Sequence, residues 1–158
     1  YVGRIKIEKG VFSLLNIFKK INENIKIKIV NSEKNYDLNL KTKNVEIVHF
    51  QNVNDSIINV YDNHNIFILP SFTEAHPQVL DEALSRLRPV IVFSEISHVK
   101  RDREGVFVCK RDHKSLIDTI KYIIKNYKDI EKKMNNNKLP TKNIFLNDLT
   151  QIIKNEKN

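Results

Sequence analysis

The chain carries one cysteine, three glycines, four prolines and no tryptophan. A lone Cys109 excludes an internal disulfide. It follows Gly105-Val106-Phe107-Val108, so it reads as a small packing residue at a strand end rather than a nucleophile, and it points to a reducing compartment. No apolar run approaches the roughly 20 residues that a membrane-spanning helix needs, and no signal peptide is visible. His49 and His64 stand singly, without partners at metal-ligand spacing, so neither is expected to hold a metal. There is no internal repeat. Basic residues are not interleaved with aromatic ones and no nucleic-acid module is recognisable, so nucleic-acid binding is not expected despite a net charge of +8. The charge is uneven: from Lys110 to Asn158 there are twelve Lys and Arg against six Asp and Glu. Heavy use of Asn, Ile and Lys, the bias of AT-rich coding, accounts for much of the basicity.

What remains is a chain of 158 residues, 41% hydrophobic and 29% charged, which suits one globular domain. It opens at Tyr1 directly on a strand, which suggests a piece of a longer protein. Its organising stretch runs from Ile66 to Val92. Ile66-Phe67-Ile68-Leu69 is an unbroken apolar run ended by Pro70 and Ser71, the pattern of a buried central strand. Val79, Leu80, Ala83, Leu84 and Leu87 then recur at helical spacing, with Pro77 expected at the first helical position. Pro89-Val90-Ile91-Val92-Phe93 is a second buried strand. Strand, loop, helix and strand in this order form a parallel crossover unit, and such sheets take ligands beyond the carboxyl ends of their strands.

The flanking segments extend the pattern. Tyr1 to Ile5 reads as a strand, and Val11, Leu14, Leu15, Phe18 and Ile21 mark a helix. Strands are expected at Ile25 to Val30, with one wet face, and at Val45 to Phe50. Asn31 to Asn44 is read as a loop with a short helix around Tyr36 to Leu40. A helix capped by Asn54 or Asp55 carries Ile57, Ile58 and Tyr61. After the central unit come a polar loop from Ser94 to Glu104, a strand at Gly105 to Val108, and a helix begun by Asp112 with the stripe Leu116, Ile120, Ile123, Ile124 and Tyr127. Asn135 to Pro140 is a linker. A last helix carries Phe145, Leu149, Ile152 and Ile153.

Two places offer chemistry. Arg4 and Lys9 bracket the first strand-to-helix turn, where a guanidinium fork and an ammonium can close on a diphosphate. Glu74 lies in the loop after the central strand, with Glu82 further on in the helix, so that both can face one ligand. No Ser, Thr, Asp or Asn immediately precedes Pro77, which leaves the first backbone N–H groups of the helix open to a phosphate. Taken singly, each of these residues is equally an ordinary surface charge.

Together the two segments resemble the C-terminal, donor-binding domain of GT-B glycosyltransferases, in particular retaining family four. Gly3-Arg4 followed by Glu8-Lys9-Gly10 is similar to that family's G-R-x-x-x-x-K-G segment. Pro70-Ser71, Glu74, Pro77, Val79, Leu80, Glu82, Ala83 and Pro89-Val90 are similar to its segment with two glutamates eight positions apart. The resemblance covers roughly residues 1 to 130. It implies an α/β, Rossmann-like, doubly wound parallel sheet of about six strands with helices on both faces. Residues 1–134 would form the nucleotide-sugar-binding domain and 135–143 a linker. The helix at 144–158 would pack on an N-terminal domain outside this chain.

The resemblance further implies that Arg4 and Lys9 hold the donor diphosphate and stabilise the leaving nucleotide. Glu82 would meet the ribose, and Glu74 the donor sugar. Gly3 and the Ala75-His76-Pro77-Gln78-Val79 loop would complete the site. No metal or other cofactor is expected. The implied partners are a nucleotide-sugar donor and, through the other domain, a glycan or glycolipid acceptor. The implied location is the cytoplasm, with peripheral contact at the inner membrane face left open. The chain departs from the family where Ala75 and Leu87 replace usual glycines, where Asn31-Ser32 replaces a Gly-rich turn, and where the loop after Phe93 lacks its glycine pair. An alanine forced to positive φ would be strained, with weaker donor binding as the expected consequence. A degenerate Rossmann-like module with an assembly or protein-binding role and no donor affinity is the alternative, and a basic peripheral-membrane or nucleic-acid module, resting on charge alone, is a third.

Overall fold

Six strands, all in parallel pairs, alternate with helices in a computed structural model that describes residues 1–21, 24–33, 44–52 and 56–155. The order is β1 (Val2–Gly3), α1 (Val11–Phe18), β2 (Ile27–Asn31), β3 (Val45–His49), α2 (Ile57–Asp62), β4 (Phe67–Leu69), α3 (Gln78–Ser85), β5 (Val90–Phe93), β6 (Val106–Cys109), α4 (His113–Lys125), α5 (Tyr127–Met134) and α6 (Lys142–Asn155). Two three-stranded sheets result, β1-β2-β3 and β4-β5-β6. Register is fixed by pairs such as Val2 with Val30, Ile29 with Ile47, Ile68 with Ile91 and Val92 with Val108.

The expected six-stranded doubly wound arrangement is present, with its ladder interrupted between β1 and β4 among the described residues. Strand β1 is only two residues long and its pairing goes to β2. The halves nonetheless flank each other. Val2 and Phe67 line one cavity, and Gly3 and Leu69 line the cleft at the other end of the same strands. Beyond the strands, the Phe72 N–H donates to the Glu8 carbonyl at 2.9 Å. Every residue of β4 and β5 is buried, as are four of the five in β2. Because successive strand residues point to opposite faces, burial at consecutive positions means that both faces are covered.

The helices supply the cover. Val11, Leu14, Leu15, Ile17 and Phe18 of α1 are buried, as are Leu80, Ala83 and Leu84 of α3, at the three- and four-residue spacing of one helical stripe. In α4 the buried stripe is Leu116, Ile117, Ile120 and Ile123, while Ile124 is 58% exposed; Tyr127 starts α5 instead of continuing the helix. Asp112 caps α4 as expected, its side chain accepting from the Ser115 N–H at 2.8 Å.

Other expectations shift. Pro77 is the N-cap of α3, in extended conformation, and not its first helical residue. Ser56 occupies the N-cap of α2; Asn54, Asp55 and the short helix expected around Tyr36 to Leu40 lie outside the described residues. The stretch read as a polar loop after Phe93 is largely 3-10 turn over Ser94–Lys100, with Ile96 and Val99 buried in the core. In α6, Leu149 and Ile152 are exposed, as are Ile144 and Leu146; the Phe145 and Ile153 side chains lie outside the described set.

Candidate functional site

The strand order reverses between β1 and β4, and the loops leaving the carboxyl ends of these two strands meet there, as ligand-binding loops do in open parallel sheets. Their meeting depends on Gly10, which ends the short 3-10 turn Ile7–Lys9 in a left-handed conformation with φ of 65°. A Cβ at this position would lie 1.9 Å from the Pro70 carbonyl oxygen, so only glycine lets the two backbones approach this closely. The Glu8–Phe72 hydrogen bond stitches the same two loops.

Across that seam the Lys9 ammonium donates to Glu74 Oε1 at 2.7 Å, and the buried Ser71 hydroxyl donates to the same oxygen at 2.6 Å. The Lys9 side chain is 23% exposed and that of Glu74 11% exposed. The pair is thus shielded from much of the solvent screening that weakens a surface ion pair. The Glu74 backbone is held too, since its carbonyl accepts from His98 Nε2 at 2.7 Å.

Gly3, Arg4, Lys9, Ser32, Glu74, His76, Pro77, Gln78 and Val79 line a cleft of about 410 Å³ around this pair. Arg4 is exposed, and among the described residues its guanidinium has no ion-pair or hydrogen-bond partner. The N-terminus of α3 opens on the same cleft without a side-chain cap, so its first N–H groups and the positive end of the helix dipole face the space beside Arg4 and Lys9. His76 Nε2 lies 3.2 Å from Asp81 Oδ2. Asp81 Oδ1 is 3.1 Å from Arg103 Nη2 but off the line of a hydrogen bond, an ion pair by distance alone.

Eight of the ten residues marked in the sequence therefore line one cleft: Gly3, Arg4, Lys9, Glu74, His76, Pro77, Gln78 and Val79. Ala75 is exposed beside it and does not line it. Nor is Ala75 strained. The positive-φ non-glycine residues among those described are Leu87, with φ of 55°, and Arg101, so Ala75 escapes the strain that a positive φ would impose, whereas Leu87 stands in the left-handed region. Glu82 also stands off the cleft wall. It lies one helical turn beyond Gln78 on the same side of α3, exposed, and its Oε2 accepts from the Tyr61 hydroxyl at 2.8 Å. Burial, then the hydrogen bond to Glu82, push the Tyr61 hydroxyl pKa up, which keeps it a donor. Cys109 is buried and its thiol is pushed up to about 11 by desolvation, in keeping with a packing role.

Three residues that shape the site carry no motif signal: Tyr61 behind Glu82, His98 on the Glu74 carbonyl, and Arg111. The last reaches from the loop before α4 to the Pro70 and Ser71 carbonyls and to Glu95, whose carboxyl it holds below the usual range, chiefly through their hydrogen bond. Among the described residues no three His, Cys, Asp or Glu side chains converge as metal ligands, and no helix is long and apolar enough to cross a membrane.

Fold and site together define a parallel α/β domain with a cleft lined by Arg4, Lys9 and Glu74 at its topological switch point. The model of the family "Glycosyl transferases group 1" matches residues 1–139, and the chain belongs to that family. It is 32% identical over 136 residues to the capsular polysaccharide biosynthesis glycosyltransferase CapM of Staphylococcus aureus, an alignment covering 78% of this chain and 36% of that protein. Among solved structures, sucrose-phosphate synthase from Thermosynechococcus elongatus superposes with a TM-score of 0.70 at 17% identity, covering 98% of this chain and 44% of that one. A glycosyltransferase from Rickettsia africae does so at 0.65 and 21%, covering 84% and 39%. Anabaena HepE in complex with UDP-glucose does so at 0.63 and 16%, covering 84% and 42%. The chain thus spans less than half the length of each of these relatives, and the structural matches are to GT-B-like glycosyltransferase folds.

Proposed function

We propose that this chain is the donor-binding half of a retaining, family-four glycosyltransferase that moves a sugar from a nucleoside-diphosphate sugar to a glycan or glycolipid acceptor. The observation that carries the reading is the Lys9–Glu74 contact, which joins the two motif-bearing loops at the mouth of the cleft beside an unpaired Arg4. Departure of a nucleoside diphosphate calls for charge stabilisation and positioning more than for a strong base. Arg4 supplies a fork for the diphosphate, and Lys9 a point charge that Glu74 orients. The open N–H groups of α3 take a further phosphate oxygen. Glu74, fixed by Lys9 and Ser71, meets the sugar hydroxyls; Glu82, held by Tyr61 and presenting Oε1, meets the ribose. The UDP-glucose of the HepE complex supports a nucleotide-sugar donor, and the capsular role of CapM supports a polysaccharide acceptor. The acceptor and the rest of the catalytic site belong to a second domain, against which the exposed Ile144, Leu146, Leu149 and Ile152 of α6 would pack.

Calorimetry with UDP, GDP and the bare nucleosides tests the reading. Arg4→Ala, at an exposed and unpaired side chain, is expected to weaken the diphosphate about tenfold or more, the equivalent of ~1.5 kcal/mol, and to leave the nucleoside unchanged. Lys9→Ala is expected to do the same. Equal losses for both ligands would remove the phosphate role.

A further inference from the structure

Arg111 lies between β6 and α4, outside both motif segments, yet its guanidinium is committed to the loop that carries Glu74. Nη1 donates to the Pro70 carbonyl at 2.8 Å, Nη2 to the Ser71 carbonyl at 3.1 Å, and Nε to Glu95 Oε1 at 2.7 Å. The guanidinium carbon sits 4.0 Å from the centre of the Phe72 ring and 4.3 Å from that of Phe93, and the side chain is 13% exposed. One side chain thus grips the end of β4, the end of β5 and the aromatic residue between Ser71 and Thr73. Ser71 in turn donates to Glu74 Oε1, so the backbone that Arg111 holds is the backbone that aims the carboxylate. A lysine keeps the charge at this position, but an ammonium cannot span two carbonyls and a carboxylate while stacking on aromatic rings.

We propose that Arg111 is the positioning residue for Glu74, acting through the Pro70 and Ser71 carbonyls, and that it sets recognition of the donor's sugar more strongly than that of its diphosphate. Its ligand half rests on the donor-binding reading above; its structural half does not. The diphosphate cations Arg4 and Lys9 come from the other loop, which Arg111 does not hydrogen-bond; Lys9 is coupled to Glu74 by their 2.7 Å contact, and Arg4 is not bonded to it. A change confined to Arg111 therefore moves the sugar contact first.

The test is Arg111→Lys in the full chain, with Glu95→Gln as a milder variant that removes one anchor of the guanidinium. Amide hydrogen exchange in the ligand-free protein is expected to quicken about tenfold or more at Phe72, whose N–H is bonded to the Glu8 carbonyl, while Ile91 and Val92 of β5 keep their protection. No change at Phe72, or an equal rise in β5, would overturn the proposal. In calorimetry, UDP and UDP-glucose are compared as probes: Arg111→Lys is expected to leave UDP within about threefold and to abolish whatever affinity the glucose adds or subtracts. Equal weakening of both would overturn the ligand half. Wild-type protein that binds neither probe would refute the donor reading, and exchange alone would then decide the positioning role.

Discussion

Replacing Gly10 by alanine should break the seam between the two loops, and the size of the effect follows from the backbone. The residue is left-handed, which costs an L-residue about 1–2 kcal/mol. The new Cβ would lie 1.9 Å from the Pro70 oxygen, well inside van der Waals contact, and 3.1 Å from Arg111 Nη1. Pro70 cannot retreat freely, because Arg111 holds its carbonyl and β4 is buried along its whole length. The loops must part instead, at the expense of at least the Glu8–Phe72 hydrogen bond, worth about 1 kcal/mol net. With strain shared among neighbours, a total of about 3–5 kcal/mol is expected, a large part of the ~5–15 kcal/mol by which domains are stable. Urea denaturation measures it, as a midpoint lowered by more than ~1 M at the usual slopes. Gly10→Asn separates the two causes: asparagine tolerates the left-handed region but keeps the Cβ, so it should recover only about 1 kcal/mol. Gly10→Ala within 1 kcal/mol of wild type, or full recovery with asparagine, would refute the close-approach argument.

Glu82→Gln keeps the shape of the side chain and removes its charge; nucleotide affinity should fall about tenfold, and a 2′,3′-dideoxyribose analogue should lose little further on the mutant. Wild type that binds the dideoxy analogue as well as the natural nucleotide would mean that Glu82 serves Tyr61 alone. Glu95 is ionised in its bond to Arg111 with a depressed pKa, so its contribution to stability is present above the unfolded carboxylate value of about 4.3 and disappears as pH falls through the lower folded value. Urea midpoints of wild type and Glu95→Gln should therefore converge as pH falls from about 4.3 through that lower folded value; parallel profiles would show that the pair contributes no pH-dependent stability.

The parts of this fold that were legible in the sequence are those whose signal is local. Consecutive burial in Phe67 to Leu69 and Val90 to Phe93 reads as an apolar run, and the Leu80, Ala83, Leu84 stripe as a helical period. The cleft was legible for a similar reason: Arg4, Lys9 and Glu74 each sit a few residues past a strand end, and parallel topology brings the ends of β1 and β4 together. What escaped depends on contacts between distant segments. Ile96 and Val99 are buried in 3-10 turns, which have no amphipathic period long enough to see, among Ser, Glu, His and Lys. Arg111 looks like one more basic residue until Phe72 and Phe93 close on it. The spacing of Glu74 and Glu82 marked both carboxylates, but not that Tyr61 of α2 would claim one oxygen of the second. Ala75, expected to be strained, is not, because its backbone stays out of the left-handed region that Leu87 adopts.

The central claim is that the switch-point cleft takes a nucleoside diphosphate between the Arg4–Lys9 turn and the N-terminus of α3. Its most direct measurement is a two-dimensional amide NMR titration of the isotopically labelled chain with UDP and GDP. Amides of Arg4 to Gly10 and of Ala75 to Val79 should shift together and saturate with one binding constant, those of β6 and α4 should stay in place, and Arg4→Ala should move the midpoint to higher ligand concentration. Shifts that cluster at β6 and α4, or none with either nucleotide, would contradict the assignment of this cleft.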